Sequence, residues 1–330
     1  MSVDLVKGSG MLRIALLGAG SHSEHVHAPS LALYAREHPG EIELAAVCDL
    51  REDRARLFCD RFGFARAYTD LDQMLGSERP DACWVVSPIE LTRALAGRVM
   101  ERGIPTFFEK PPGKDLREAR ELADISQRAG TPNMVAFNRR WAPCTRKALE
   151  WAAEHGPFEY LYARMLRARR SEQGFAFGTG IHLLDCVRAL AEATMGGIAA
   201  AQTTRVEVAP GLYNFHVDLH LGSGRGRCDI LPTCGVLEES FLLFGRVRSV
   251  ISALPWVAVD GRAELHVEGK LVDSEAWPAQ PAHVSSGFYG EAVEFISALK
   301  EGRRPSPSPQ DAVDSVALAE AVQEGRGISF

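Results

Sequence analysis

The sequence predicts an α/β protein of two domains, which we expect to span residues 1–140 and 141–330. A chain of 330 residues has room for about two domains. Its first part alternates strand and helix signals, an order typical of a mostly parallel, doubly wound sheet with helices on both faces. After Trp141, consecutive strands joined by short turns predict an α/β domain with an open, mainly antiparallel sheet.

Short apolar runs in the first part predict buried strands over residues 12–17, 42–47, 65–68, 82–86, 106–108 and 134–137. Between them, the pattern predicts helices over residues 28–38, 51–62, 71–75, 91–102 and 115–129. In a parallel sheet of this kind, ligands bind at the carboxyl ends of the strands. The residues that follow each strand are therefore the first candidates for a site.

The second part is richer in strands than in helices. Helices are predicted over residues 142–153, 181–193, 290–300 and 310–323. Strands are predicted over residues 158–166, 200–208, 212–221, 227–231, 236–243, 247–253 and 264–267. The run from Pro305 to Pro309, which alternates proline and serine, predicts a stiff, extended linker between the last two helices.

Composition and charge exclude several classes of protein. A net charge of −6 argues against a nucleic-acid partner, because such surfaces are usually basic. The seven cysteines are odd in number and form no Cys-x-x-Cys pair, which favours reduced thiols over disulfides or a zinc site. We find no signal-peptide pattern and no apolar run of roughly 18 residues, the length that spans a membrane. We expect a cytoplasmic protein with no membrane partner.

The first strand ends in a glycine turn, Gly18-Ala19-Gly20, that leads directly into a helix. This geometry places backbone N–H groups and a helix N-terminus against a pyrophosphate. The third position of the Gly-x-Gly-x-x-Gly fingerprint is a serine, which is small enough for the helix to approach the strand. We predict a Rossmann domain whose cofactor contacts include Gly18, Gly20, Ser21, His22 and Ser23. The alternative is a purely structural turn, since tight turns need glycine in any case.

The second strand is followed by Asp49, where a carboxylate can accept both ribose hydroxyls of an adenosine. A carboxylate at this position would repel a 2′-phosphate, so NAD(H) is favoured over NADP(H). Arg51 lies two residues further on and could offset this preference. The alternative role for Asp49 is to cap the N-terminus of the following helix.

Three histidines, His22, His25 and His27, lie where the glycine turn becomes a helix. A zinc site normally needs four well-placed ligands, and the neighbouring sequence offers no cysteine, aspartate or second histidine cluster. We therefore expect no metal. His22 is expected near the pyrophosphate, and the plainer alternative is a set of surface histidines.

The fifth strand is followed by Glu109-Lys110-Pro111-Pro112, at the edge of the sheet where substrate and nicotinamide should meet. A lysine at this edge can donate a hydrogen bond to a substrate hydroxyl or carbonyl oxygen. The prolines restrict the backbone and hold the lysine in place. On spacing alone, an exposed glutamate–lysine pair before a turn is the alternative.

Four features, in this order along the chain, resemble the glucose-fructose oxidoreductase / inositol dehydrogenase / rhizopine catabolism family of NAD(P)-dependent oxidoreductases. They are the glycine turn, Glu109-Lys110-Pro111, Phe137-Asn-Arg-Arg140 and Gly180-Ile-His-Leu-Leu-Asp185. The resemblance covers nearly the whole chain, and the Glu-Lys-Pro element is its most specific part. It implies a Rossmann domain followed by an α/β domain whose open antiparallel sheet often mediates oligomers.

The resemblance also implies roles for individual residues. Lys110 matches the catalytic or substrate-orienting lysine of the family, and His182 matches the histidine that serves as acid/base or substrate ligand. Asp185 lies one helical turn after His182, so it is expected to orient the imidazole or to contact substrate. The alternative for the pair is helix capping and a buried polar contact.

Further site residues complete the expectation. Cofactor contacts are expected from Ser87, Pro88, Glu109, Lys110 and Asn138, besides Asp49, Arg51 and the glycine turn. Substrate contacts are expected from Lys110, His182 and the pair Arg139-Arg140, because guanidinium groups suit a substrate carboxylate or phosphate. The alternative for Arg140 is an ion pair at the domain interface.

Two positions depart from the family pattern. Dehydrogenases of the family commonly carry an aspartate four residues before the helix histidine, and this chain has Gly178 there. The loop that follows Val86 often carries an asparagine and a histidine, whereas this chain has Ser87-Pro-Ile-Glu-Leu-Thr92. Either Lys110 and His182 suffice for catalysis, or another group substitutes, or catalysis is weak.

The sequence as a whole predicts an oxidoreductase that transfers a hydride between NAD(H) and a sugar, cyclitol or related polyol. Its partner would be a small molecule, such as a sugar, a cyclitol or a sugar acid, and its assembly a homodimer or homotetramer. Two alternatives stay open on the same fold. One is an NAD-assisted glycosidase or epimerase, and the other is a non-catalytic NAD-binding sensor or regulatory protein.

Overall fold

The first sheet contains six parallel strands in the spatial order β3-β2-β1-β4-β5-β6. The computed structural model describes residues 10–256 and 258–330 of the chain. The strands are β1 (Leu12–Leu17), β2 (Ile42–Cys48), β3 (Arg66–Tyr68), β4 (Ala82–Val85), β5 (Thr106–Glu109) and β6 (Asn133–Ala136). Every residue of β4, β5 and β6 is buried, as expected for strands covered on both faces.

Helices connect these strands in the predicted alternation. They are α1 (Ala28–Glu37), α2 (Glu52–Phe62), α3 (Leu71–Glu78), α4 (Ile89–Met100) and α5 (Leu116–Ala129). Between β1 and β4 the strand order reverses direction, which makes this the switch point where a doubly wound sheet binds its ligands. The predicted α/β class with a parallel first sheet is confirmed.

The second sheet has nine strands in the spatial order β14-β13-β12-β11-β7-β10-β9-β8-β15. Neighbouring strands are antiparallel except β7 and β10, which run parallel. The strands are β7 (Tyr160–Leu166), β8 (Ile198–Ala209), β9 (Leu212–Leu221), β10 (Gly224–Leu231), β11 (Glu238–Phe244), β12 (Arg248–Ala253), β13 (Gly261–Val267), β14 (Lys270–Trp277) and β15 (Ile328–Ser329). The predicted open, mainly antiparallel sheet is confirmed.

The remaining helices are α6 (Pro143–His155), α7 (Ile181–Met195), α8 (Ala282–Ser285), α9 (Phe288–Glu301) and α10 (Pro309–Glu324). Helix α7 packs against β7, and α6 packs against β12 and β13. Residues along β7 alternate between buried and partly exposed positions, so this strand has one covered face. No helix in the described part of the chain has both the length and the apolar surface that crossing a lipid bilayer requires.

The chain folds into two compact units. Residues 10–136 together with Phe288–Val313 form the first unit, and the rest of the described chain forms the second. This division differs from the predicted boundary after residue 140, because α9 packs against α1. Two side-chain contacts support that packing: the hydroxyl of Tyr289 bonds to Glu37, and the Nζ of Lys300 lies 2.5 Å from an Oε2 atom of Glu41.

Candidate active site

The glycine turn lies at the switch point, directly after β1. Gly18 has a φ of +99°, and an added Cβ would lie 1.9 Å from the carbonyl oxygen of Val86. Both the backbone angle and this close approach therefore require glycine. An added Cβ at Gly20 would meet no atom within 4 Å, so the outer side of the turn is open. The turn thus has room for a ligand group against its backbone.

The serine at the third position of the fingerprint is fully buried. The Oγ of Ser23 donates a hydrogen bond of 2.6 Å to the carbonyl oxygen of Gly18. Ser21 and His22 are the first residues of the helix that follows the turn, and a π-helical turn covers Ser23–His27 before α1 begins. The serine therefore closes the turn itself, besides permitting close packing.

Asp49 connects the end of β2 to the glycine turn. One carboxylate oxygen accepts the N–H of Ala19 at 2.8 Å, and the other accepts the N–H of Arg51 at 3.0 Å. The alternative role as a helix cap is wrong, because α2 begins at Glu52 with Arg51 as its cap residue and has no side-chain cap bond. The exposed Arg51 pairs with Asp53 at 2.5 Å. The aspartate is held beside the turn, as a ribose ligand would need to be.

The loops after β4 and β5 begin at the same edge of the sheet, where the parallel strands have their carboxyl ends. Ser87 and Thr92 bond through their hydroxyl groups at 3.2 Å, and Pro88 is the cap residue of α4. Glu109 is the last residue of β5, and Lys110 follows it. Because parallel strands align their carboxyl ends, this edge of the first unit brings Lys110 together with the predicted cofactor residues other than Asn138, which belongs to the second unit.

Glu109 joins the helix after the glycine turn to the lysine loop. Its Oε1 accepts hydrogen bonds from the Nε2 atoms of His22, at 3.0 Å, and His27, at 2.7 Å. Its Oε2 accepts the N–H of Lys110 at 3.1 Å. His27 is completely buried, whereas the side chain of His22 is half exposed. The neighbouring sequence predicted no carboxylate beside these histidines, and that prediction is wrong because Glu109, 82 residues after His27, bonds to two of them.

Burial, charges and hydrogen bonds within the cluster shift the pKa values of Glu109 and His27. Burial raises the pKa of the Glu109 carboxyl, but the charge and hydrogen bond of His22 and the bond from His27 outweigh it, so the pKa lies well below its ordinary value. Burial lowers the pKa of His27 below 6.5, against the opposing effect of Glu109. At neutral pH the cluster therefore contains an ionised carboxylate and a neutral buried imidazole.

In the second unit, His182 is buried in the first turn of α7. A π-helical turn over Ala176–Gly180 precedes the helix and contains Gly178. An added Cβ at Gly178 would meet no atom within 4 Å, and its φ lies outside the left-handed region. The backbone therefore accepts a larger residue where the family pattern has aspartate.

Asp185 is fully buried and has three strong donors. Its two oxygens accept hydrogen bonds from Nη2 and Nε of Arg140, each at 2.7 Å. Oδ1 also accepts a hydrogen bond from the hydroxyl of Ser315 at 2.7 Å. None of these three donors is the imidazole of His182, which Asp185 was expected to orient. Both residues of the pair of Arg140 and Asp185 belong to the second unit.

Asn138 and Arg139 likewise have partners inside the second unit. The Nδ2 of Asn138 donates to the carbonyl oxygen of Ser286 at 2.7 Å, and Arg139 donates to Glu239 at 3.1 Å. Arg167 also bonds to Glu239, and its guanidinium stacks 4.2 Å from the ring centre of Trp256. Glu239 could not be found from the sequence pattern, because it lies 100 residues from Arg139 along the chain. The guanidinium of Arg139 is thus already paired with a carboxylate.

Comparison with known proteins agrees with this architecture. Residues 12–137 match the model of a family described as an oxidoreductase family with an NAD-binding Rossmann fold. D-apiose dehydrogenase of Paraburkholderia graminis is 27% identical over 96% of this chain and 89% of its own length. The rhizopine catabolism protein MocA of Rhizobium meliloti is 25% identical over 94% of each chain.

A solved structure shares the fold over both units. Levoglucosan dehydrogenase in complex with NADH and L-sorbose matches with a TM-score of 0.79 and 18% identity, over 97% of this chain and 99% of that one. Over residues 12–137 the chain is similar to the Gfo/Idh/MocA family of oxidoreductases with an NAD-binding Rossmann fold, and the two relatives extend that similarity along nearly the whole chain.

Proposed function

We propose that this protein is an NAD(H)-dependent oxidoreductase that transfers a hydride between nicotinamide C4 and the carbon of a sugar, cyclitol or related polyol. The observation that carries the proposal is the juxtaposition of Gly18, Asp49 and Lys110 at one edge of the parallel sheet. The full-length relative that oxidises apiose supports a CH–OH group as the reacting centre. The expectations of a cytoplasmic location and of a homodimer or homotetramer belong to the same proposal.

The cofactor would be held by the first unit. Gly18 and Gly20 leave the turn open for the pyrophosphate, and the Asp49 carboxylate, fixed by the N–H groups of Ala19 and Arg51, accepts the ribose hydroxyls. A 2′-phosphate at this carboxylate would meet a like charge, so NAD(H) is the preferred cofactor. When bound, the nicotinamide supplies the hydride acceptor or donor.

The protein supplies position and charge to the reacting oxygen. Lys110 donates a hydrogen bond to that oxygen and stabilises its alkoxide character during hydride transfer. His182 accepts the hydroxyl proton in oxidation and returns it in reduction. Glu109 acts through Lys110: by accepting the lysine N–H, it fixes the backbone from which the ammonium group extends.

The first experiment is a thermal-shift and fluorescence titration of cofactor-stripped protein with NAD, NADH, NADP and NADPH. We expect a selective shift with NAD(H) and a weaker one with NADP(H). Cyclitols, hexoses and sugar acids are then added with the preferred cofactor, and the ligand that enlarges the shift identifies the substrate class. Turnover with that ligand is followed as NADH absorbance.

The matched variants are Asp49→Asn and Asp60→Asn. Both aspartates belong to the same strand–helix unit, but Asp60 is exposed on α2. Asp49→Asn should weaken NAD binding about tenfold, the loss of one charge-assisted hydrogen bond, and reduce the preference over NADP. Asp60→Asn should bind as wild type does. Absence of a shift with every dinucleotide would overturn the proposal.

Gly178 motivates a second candidate, a protein that binds NAD and a small ligand but no longer catalyses. If the missing carboxylate limits turnover, Gly178→Asp should raise kcat several-fold, because the backbone has space for the side chain. Gly178→Asn is the matched control of similar size without the charge. NAD binding without turnover in the wild type, with activity gained only in Gly178→Asp, would favour the sensor. Retained cofactor and product without net NADH would instead favour an epimerase or glycosidase.

A further inference from the structure

A widened helical turn places two histidines on one face of the first unit. His22 and His27 are five residues apart, and in a regular α-helix that spacing separates side chains by ~140° around the axis. Here the N–H of Ala28 bonds to the carbonyl of Ser23, an i→i+5 bond that defines a π-helical turn. The wider turn brings the two Nε2 atoms to the same carboxylate oxygen. Such turns are rare and frequently occur at functional sites.

The three groups converge as metal ligands do. One ring nitrogen of His22, one of His27 and a carboxylate oxygen of Glu109 all lie within 4.8 Å of one another. Two imidazoles and one glutamate form the His₂Glu set of catalytic zinc sites, which leaves a fourth position for water or an oxygen ligand. Imidazole nitrogen suits Zn²⁺ and the neighbouring transition metals better than it suits Mg²⁺ or Ca²⁺.

The surroundings orient these ligands and leave an entrance. The second oxygen of Glu109 accepts the N–H of Lys110, so the carboxylate presents its other oxygen to the histidines. The ring of Phe288 meets both imidazoles edge-on, at centroid distances of 5.5 and 5.7 Å, and Phe107 meets His27 at 5.6 Å. His27 and Glu109 are buried, whereas the side chain of His22 is 49% exposed, which gives an ion access from solvent.

We propose that His22, His27 and Glu109 bind one divalent transition-metal ion of the Zn²⁺ class, with a fourth position open to water or a small oxygen ligand. In the metal-free protein each imidazole donates its Nε2–H to Glu109. In the metal complex each ring carries its proton on Nδ1 and coordinates through Nε2. The inference does not rest on the proposed function, because it concerns binding of the ion alone.

The test is a Co²⁺ titration of the full chain after chelator treatment, with no dinucleotide present. Tetrahedral or five-coordinate Co²⁺ absorbs visible light, so occupancy is read directly from the spectrum, and Zn²⁺ is added as competitor. We expect one equivalent to bind saturably and Zn²⁺ to displace it. Because the ligands must be deprotonated, affinity should fall as the pH is lowered.

The decisive pair of variants is His22→Ala and His25→Ala. Both histidines belong to the same turn and are exposed, but His25 bonds to the carbonyl of Ser21 instead of Glu109. His22→Ala should weaken Co²⁺ binding at least tenfold, and His25→Ala should leave it unchanged. Glu109→Gln, with folding checked by circular dichroism, should abolish it.

Two results would overturn the proposal. One is the absence of a saturable Co²⁺ spectrum in the wild type, and the other is equal affinity in the two histidine variants. Dinucleotide binding is measured separately, so a protein that binds NAD without Co²⁺ refutes this inference and leaves the proposed function standing. A protein that binds Co²⁺ but shows no affinity for any dinucleotide supports this inference and refutes the proposed function.

Discussion

A buried carboxylate lies at each end of the strands of the parallel sheet, Glu78 at the amino edge and Glu109 at the carboxyl edge. The two carboxylates differ in their partners. Glu78, whose side chain is fully buried, lies at the edge where β1 and β3 begin and accepts hydrogen bonds at 2.7 Å from Arg13 and Arg66. The hydroxyl of Tyr68 completes its partners. Glu109 lies at the opposite edge, where β5 ends, and its partners are two imidazoles and the N–H of Lys110.

This difference in partners indicates that Glu78 has a structural role and that Glu109 belongs to a cluster able to react or bind a ligand. Arginine stays charged at every pH at which the protein is folded, so Glu78 is neutralised by permanent cations and offers nothing to a ligand. Histidine can exchange a proton or coordinate a metal, so Glu109 belongs to a cluster whose state can change. The amino edge of the sheet is therefore fixed, and the carboxyl edge keeps reactive groups within reach of the glycine turn.

The largest expected effect is at the carboxyl edge, in Lys110→Met. Loss of the donor to the reacting oxygen should lower kcat by about 10²–10³-fold. Stability should change little, because the lysine follows the strand and is only partly buried. The measurement is NADH formation with the substrate identified by the ligand panel, together with a melting curve.

Lys114→Met is the control for that variant. Lys114 belongs to the same loop, and its exposed ammonium group pairs with Glu118 at 3.1 Å. It should keep full activity. If both lysine variants lose activity equally, the effect comes from the charge of the loop and the role of Lys110 is refuted.

Most of the fold could be predicted, because its strands are buried and their apolar runs are visible in the sequence. Strand β14 was missed for the opposite reason, since nearly all of its residues are exposed and its pattern has no apolar face. The placement of α9 was also missed. Its helical pattern is clear, but nothing in a single sequence shows that it packs against α1, more than 250 residues earlier.

The site was predictable where its geometry is local. Gly18 and Asp49 belong to one strand–helix–strand unit, so the spacing along the chain already places them together. The bond between His27 and Glu109 spans 82 residues, and that between Asp185 and Ser315 spans 130. Such pairs depend on strand order and on which helices pack together, and composition and spacing do not contain that information.

The next effect in size is at the amino edge, in Glu78→Gln. This change leaves two guanidinium groups without their carboxylate, and we expect a loss of about 2 kcal/mol in the free energy of unfolding. The expected loss of stability is smaller than for a fully buried ion pair, because the side chains of Arg13 and Arg66 are 34% and 62% exposed to solvent. Chemical denaturation measures it, and kcat should stay at the wild-type level.

Glu52→Gln is the matched control, because the exposed pair of Glu52 and Arg56 on α2 has similar chemistry without burial. It should change stability by less than about 0.5 kcal/mol. Equal losses in the two variants would mean that burial does not distinguish Glu78. Loss of activity in Glu78→Gln at full stability would remove the separation between the two edges.

The smallest effect is a change with pH in the difference between wild type and Glu78→Gln. Burial raises the pKa of Glu78, but Arg66, Tyr68 and Arg13 outweigh it, so the folded pKa lies below the ordinary 4.5. Between the folded and unfolded pKa values, the unfolded chain binds more protons, and wild-type stability therefore falls as the pH drops below 4.5. The glutamine cannot titrate, so the two unfolding free energies should be furthest apart at neutral pH and converge as the solution is acidified toward pH 3. Denaturation curves at several pH values measure this, and a difference that stays constant below pH 4.5 would show that the arginines do not hold Glu78 ionised.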